Sequence, residues 1–334
     1  MSVFSDAVLV NSLIALAGFA TLVLLADRYE REPAWPLLKL YALGITATIL
    51  FGNVKGLVFG ALGDPELSPW VLHFGVAGFA EEALKFGVFL WFIRRNREVD
   101  EPLDAIIYLG VMALAFAFDE NIGYYLNFTR DGALLTSLSG DRSYYEQAAA
   151  AITFARALPG HLLIDTVAGW MLAVGLQRGQ LSRWIAPAFV LAVLLHGTWN
   201  LLAGSLLFFG YGLVLAGLSV LAVRWAWRRS PHRERQVRFR ALLDRVRWSD
   251  PAIPRKLARS LRTVSSSRQR EIMTAVEEAV AERRGEAAPA IGEIMAGERD
   301  GGSQVMRVVG LLGGIVFVSF GIELFHALLI VSLR

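Results

Sequence analysis

The chain has 334 residues, 55% of them hydrophobic, with a mean hydropathy of +0.47, values that exclude an ordinary soluble globule and indicate a multi-span membrane protein. It has no cysteine, which removes disulfides, thiolate nucleophiles and every Cys-ligated metal site, so any metal must be held by His, Asp or Glu. The formal charge of +3 is unevenly spread: Arg224 to Arg270 holds fifteen Lys or Arg against three Asp or Glu.

Eight segments have the length and apolarity of a membrane helix. They are Val3–Ala26, Trp35–Phe59, Pro69–Ile93, Leu103–Phe128, Ala151–Leu176, Trp184–Phe208, Tyr211–Trp227 and Val308–Leu333, the seventh being short. Met1 to Asp6 carry no Lys or Arg, so the first apolar run reads as a span rather than a cleaved signal peptide. The predicted fold class is all-α: a polytopic membrane helix bundle of about eight transmembrane helices with a small cytoplasmic helical insert. Residues 1–227 form a seven-helix core, 228–307 the insert and 308–334 the last span. The arginine-bearing loops at Arg28/Arg31, Arg94/Arg95/Arg97, Arg178/Arg183 and Arg228/Arg229 alternate with loops poor in positive charge, Gly60–Ser68 and Thr129–Ala150. The positive-inside rule then predicts a multi-pass protein of the cell (inner or plasma) membrane, with both termini outside and Arg228–Arg307 cytoplasmic.

The insert reads as amphipathic helices over Gln236–Trp248, Ile253–Val264 and Arg268–Gly285, the last with an N-cap signal at Ser265–Ser267. Its basic face suits lipid head groups. No nucleic-acid recognition motif appears, so nucleic acid is not an expected partner. On the second span, Gly52, Gly56 and Gly60 form a small-residue stripe, which predicts close helix packing.

Chemistry concentrates on the third to sixth spans. Two adjacent glutamates, Glu81 and Glu82, lie within an apolar run, where each charge costs at least ~2.5 kcal/mol at the bilayer centre. Lys85 is expected to pair with Glu81 at i,i+4, leaving Glu82 as the free carboxylate, or the reverse. The fourth span has Asp119-Glu120-Asn121, the fifth His161 and Asp165, the sixth His196 and Asn200. Asp165 is placed to fix the tautomer of His161. At 1.5 Å per residue, Glu82 and His161 lie ~20 and ~15 Å from the outer starts of their helices. Glu120 and His196 lie ~26 and ~18 Å from the cytoplasmic starts of theirs, within one slab of the membrane. Glu323 and His326 on the last span, and Arg156 on the fifth, are peripheral to this set.

Two carboxylates and two imidazoles suit water activation, with a glutamate as base and His or Asn donors at the oxyanion. Equally, His161, His196 and a glutamate such as Glu120 suit a divalent metal such as zinc. No HExxH is present, and spacing leaves the metal and metal-free routes open. The same carboxylates would serve a proton relay in an ion-coupled transporter, though no internal repeat is visible, or a non-catalytic membrane scaffold.

Several motifs, in order, resemble those of the PrsW family of intramembrane proteases. They are Asp27-Arg28-Tyr29-Glu30-Arg31-Glu32-Pro33, the EExxK of Glu81 to Lys85, the segment Asp100 to Tyr108, and the FxxxEN of Phe116 to Asn121. Pro159-Gly160-His161 with Gly169, and His196-Gly197-Thr198-Trp199-Asn200, complete the set. The family is similar to the CAAX-protease (ABI) clan. The resemblance implies an endopeptidase acting on a membrane-anchored protein, with an anti-sigma factor as the substrate class the family suggests. It implies that Glu81 or Glu82 with Glu120 activates water or holds a metal, that His161 and His196 are ligands or donors, and that Asn200 completes an oxyanion hole. Zinc or another divalent cation is implied by the family's description as metalloproteases, and a metal-free glutamate mechanism by the clan.

Overall fold

The computed structural model describes residues 13, 17–18, 32, 34–63, 66–96, 99–139, 160–203, 205–243, 271–274 and 277–278. These residues form an all-α membrane bundle. Helix α1 is Ala34–Ala61; a π-helical segment, Val71–Glu81, runs into α2, Glu82–Ile93; α3 is Pro102–Ser139 and α4 is Gly160–Gln177. They are followed by α5, Leu181–Leu202, α6, Leu207–Arg229, and α7, Pro231–Leu243. Among the described residues, α1, Pro102–Tyr124 of α3, α5 and α6 are long and apolar enough to cross a membrane. The predicted last span, the first span apart from Leu13, Ala17 and Gly18, the helix Ile253–Val264, and Arg156, Glu323 and His326 lie outside the described residues.

Helix α3 is the axis of the bundle. Its apolar window is 89% buried, against 17% for α1 and 28% each for α5 and α6, whose free faces carry exposed Leu50, Leu57, Val190, Leu213 and Leu221 suited to lipid. The start of α3 is fixed locally. Pro102 sits at the first helical position, and Asp104 Oδ2 accepts from the backbone N–H groups of Asp100 (2.8 Å) and Glu101 (2.7 Å), closing half of a capping box. α1 lies against α3 through Gly44, where a Cβ would meet Ala115 and Met112, and through the Tyr41–Phe118 ring pair. α4 comes closest to α3 at Gly169, where an added Cβ would lie 3.1 Å from the Ile106 Cα. Glycine is needed there because backbone meets backbone. The turn from α4 to α5 is a Schellman closure: Gly179 has φ 63°, Gln180 N–H donates to Gly175 O and Gly179 N–H to Leu176 O.

Four sequence expectations change. α3 continues through Ser139, past the expected loop at Thr129, because no proline interrupts it and the charged residues there are compatible with helix. The sixth span ends at Leu202 rather than Phe208, and the seventh is 23 residues long rather than short, since Leu207, Phe208 and Phe209 belong to its first turn. α7 starts at Pro231, five residues before the predicted Gln236: Ser230 is its N-cap, accepting from Arg233 N–H at 3.4 Å, with Pro231 at the first position. The Gly52/Gly56/Gly60 stripe is exposed, and among the described residues a Cβ at any of the three meets nothing within 4 Å. The expected packing partner is therefore not found there.

Candidate active site

The polar groups of the π-helical segment, α2, α3, α4 and α5 converge. Glu81 closes the π-helical segment and Glu82 opens α2, so the change of helical winding falls between them; the Glu82 N–H donates to both Gly78 O and Phe79 O. The segment is held on α5 by Gly78 beside Val193 O, and by the Phe74 ring against Gly197, the residue after His196.

Two networks result. In the first, Lys85 Nζ lies 2.5 Å from Glu82 Oε1 and 2.7 Å from Asp165 Oδ2, all three fully buried, while Glu82 Oε1 also meets His196 Nδ1 at 2.7 Å. The Phe116 ring, whose centroid is 5.7 Å from the ammonium, covers it from α3. In the second, His161 Nε2 lies 2.7 Å from Glu120 Oε2. The two imidazoles join the networks edge to face, centroids 4.9 Å apart at 88°. Glu81 completes the junction, with Oε2 3.9 Å from His196 Nε2.

The arrangement decides one pairing that spacing left open and corrects another. Lys85 pairs with Glu82, one turn away at i,i+3, and not with Glu81, because Asp165 of α4 holds the ammonium on the Glu82 side. Asp165 accordingly serves Lys85 and not the tautomer of His161, whose carboxylate is Glu120 from the neighbouring helix. These cross-helix bonds have no signature in single-helix spacing. Asn200 is half-buried one turn beyond His196, outside the bonds of both networks. The Glu81, His161 and His196 donor atoms all lie within 4.8 Å of one another. The expected set contained Glu120 as the carboxylate; the geometry groups Glu81 with the histidines and leaves Glu120 hydrogen-bonded behind His161.

The sequence model of the PrsW family intramembrane metalloproteases matches residues 32–227, well over half of the chain. The chain belongs to the PrsW family. Among curated relatives it is 27% identical over 180 residues to Protease PrsW of Clostridioides difficile, covering 52% of this chain and 69% of that one. It is 26% identical to Protease PrsW of Geobacillus kaustophilus (60% and 80% covered) and 25% identical to that of Bacillus subtilis (54% and 76%). No solved structure matches. This PrsW-family chain is thus an intramembrane protease, and every cluster residue lies within the matched span.

The family description as metalloproteases agrees with the donor set. Two imidazoles and one carboxylate are the three protein ligands of a common catalytic zinc arrangement that leaves further positions open. Each histidine has one nitrogen committed to a carboxylate, His196 Nδ1 to Glu82 and His161 Nε2 to Glu120, as outer partners of metal-bound histidines usually are. The remaining nitrogen of His161, Nδ1, is buried without a partner, which a cation would satisfy. The residues fit the metal.

Proposed function

We propose that this protein hydrolyses a peptide bond of a membrane-anchored protein, with Glu81, His161 and His196 holding a divalent cation such as zinc. The observation that supports this is the convergence of those three donors, each histidine backed by its own carboxylate. When bound, the cation would polarise the scissile carbonyl and acidify a water. Glu120, whose side chain is 24% exposed where Glu82 is closed off, takes the proton of the attacking water and delivers it to the departing amine. Glu82, clamped by Lys85, holds His196 in one ring orientation. Asn200, one turn beyond His196 on α5, would donate to the carbonyl oxygen as it gains charge. An anti-sigma factor is a suitable substrate class. The reaction occurs in the cell membrane, with the α7 side of the bundle facing the cytoplasm.

A metal-free route has one observation of its own. The His161–Glu120 pair at 2.7 Å is a general-base dyad without a cation. Elemental analysis of purified protein separates the two. About one zinc per chain, lost with activity in His161→Ala/His196→Ala, is expected; active protein free of metal selects the dyad. Proteolysis itself is read by comparing the terminal peptides of membrane proteins in cells expressing wild type or Glu120→Gln. Identical peptide sets would overturn the proposal.

A further inference from the structure

A second site lies away from the acids and imidazoles. Where α4 ends, α5 begins and α6 ends, the helices enclose a cavity of about 550 Å³, within the size range of small-ligand sites. Its polar wall is Arg178 and Arg229; its apolar wall includes Trp170, Trp184, Trp225 and Val174. We propose that this cavity binds the phosphate head group of an anionic glycerophospholipid, with the tryptophans along its glycerol and upper acyl chain.

The argument is one of charge and geometry. Among the described residues no carboxylate lines the cavity, and neither guanidinium has an ion-pair partner. Instead each lies over an indole, Arg178 at 5.2 Å from the Trp184 centroid and Arg229 at 5.9 Å from that of Trp225, while Trp170 meets Trp225 edge to face at 6.2 Å. Stacking occupies the flat face of a guanidinium and leaves its N–H edge free, the geometry that grips a phosphate in two bonds. The carboxyl ends of α4 and α6 alone would repel an anion. Two arginines without carboxylate partners reverse that sign. The site is at the arginine-rich end of the bundle, beside the Schellman turn at Gly179, and tryptophan is the residue favoured at head-group depth. Basic pockets between spanning helices at that depth suit anionic lipids. A soluble phosphate shares the anion chemistry but has no use for the aromatic wall.

Native mass spectrometry of delipidated full-length protein tests the assignment, titrating phosphatidylglycerol, phosphatidylcholine and glycerol 3-phosphate. Phosphatidylglycerol should bind about tenfold more tightly than phosphatidylcholine, and Arg178→Gln/Arg229→Gln should weaken it roughly 30-fold, about fivefold per arginine. Arg95→Gln, outside the cavity, should leave the affinity unchanged. If the double variant loses its helical circular dichroism, single Arg229→Gln carries the test with its fivefold loss. Equal binding of the two lipids, an unchanged variant, or glycerol 3-phosphate binding as tightly as the lipid would overturn the proposal, the last in favour of a soluble anion.

Discussion

Replacing Lys85 by methionine removes the cation from between two fully buried carboxylates, Glu82 at 2.5 Å and Asp165 at 2.7 Å. The side chain fits the same volume, so the cost is electrostatic. Breaking a buried ion pair by removing one partner costs about 3–5 kcal/mol. For a domain of this size that corresponds to a fall in Tm of roughly 6–20 °C. Thermal unfolding of detergent-purified protein, followed by circular dichroism, reads the shift. The cycle is closed with Asp165→Asn and the double variant. Because Lys85 and Asp165 share one bond, the double variant should cost less than the two singles together, by about 1–3 kcal/mol. Arg95, an exposed cation over the Trp91 ring, serves as the control, and its loss should stay within about 0.5 kcal/mol. A Lys85→Met variant within 1 kcal/mol of wild type, or strict additivity in the cycle, would refute the reasoning.

Three further outcomes follow from packing. Gly160→Ala places a Cβ 2.5–2.9 Å from the Trp199 indole, so Trp199 must shift beside His161; a loss of about 1–3 kcal/mol and lower proteolysis are expected from thermal unfolding and peptide assays. Gly56→Ala meets open space within the C-terminal part of α1, so it should stabilise by about 0.5–1 kcal/mol through helix propensity; destabilisation would show that the glycine stripe is a packed face. Ser230→Ala removes both the N-cap of α7 and the bond its hydroxyl donates to Glu101, and should cost about 1 kcal/mol and speed tryptic cleavage at Arg233; unchanged cleavage would separate the cap from the attachment of α7.

The spans and the site candidates were legible because the bilayer imposes a simple rule on sequence. A run of apolar residues marks a helix, and an acid or imidazole inside one stands out by its cost. That rule located α1, α3, α5 and α6, and every residue of the two networks. It was silent on pairing. Lys85 has Glu81 and Glu82 within one turn, and local spacing allowed either; the choice comes from Asp165, eighty residues away on α4. His161 likewise finds Glu120 on α3 and not Asp165 on its own helix. Helix ends failed for a different reason. α3 passes through Thr129 and α7 begins at Pro231 because charged residues and Ser-Pro caps set those limits, and hydropathy does not register them. The π winding up to Glu81 also left no periodic trace in so apolar a segment.

The pairing pattern bears on the metal. Among the described residues, the four carboxylates Glu81, Glu82, Glu120 and Asp165 bond or approach within 4 Å one ammonium and two imidazoles, so with neutral imidazoles that set is formally three charges negative. Such an excess is expensive in a membrane interior. The two networks divide it unequally. Lys85 balances Glu82 and Asp165 to within a single charge, and Glu82 passes part of its remainder to His196. On the other side Glu120 meets His161 and Glu81 approaches His196, and His161 Nδ1 is left over. A divalent cation among Glu81, His161 and His196 offsets the excess on the side where it lies and leaves the Lys85 network intact. Lys85→Met should therefore lower stability more than metal content, whereas Glu81→Gln should lower metal content and leave the Lys85 network bonded. Equal metal loss in both variants would mean that the two networks are one.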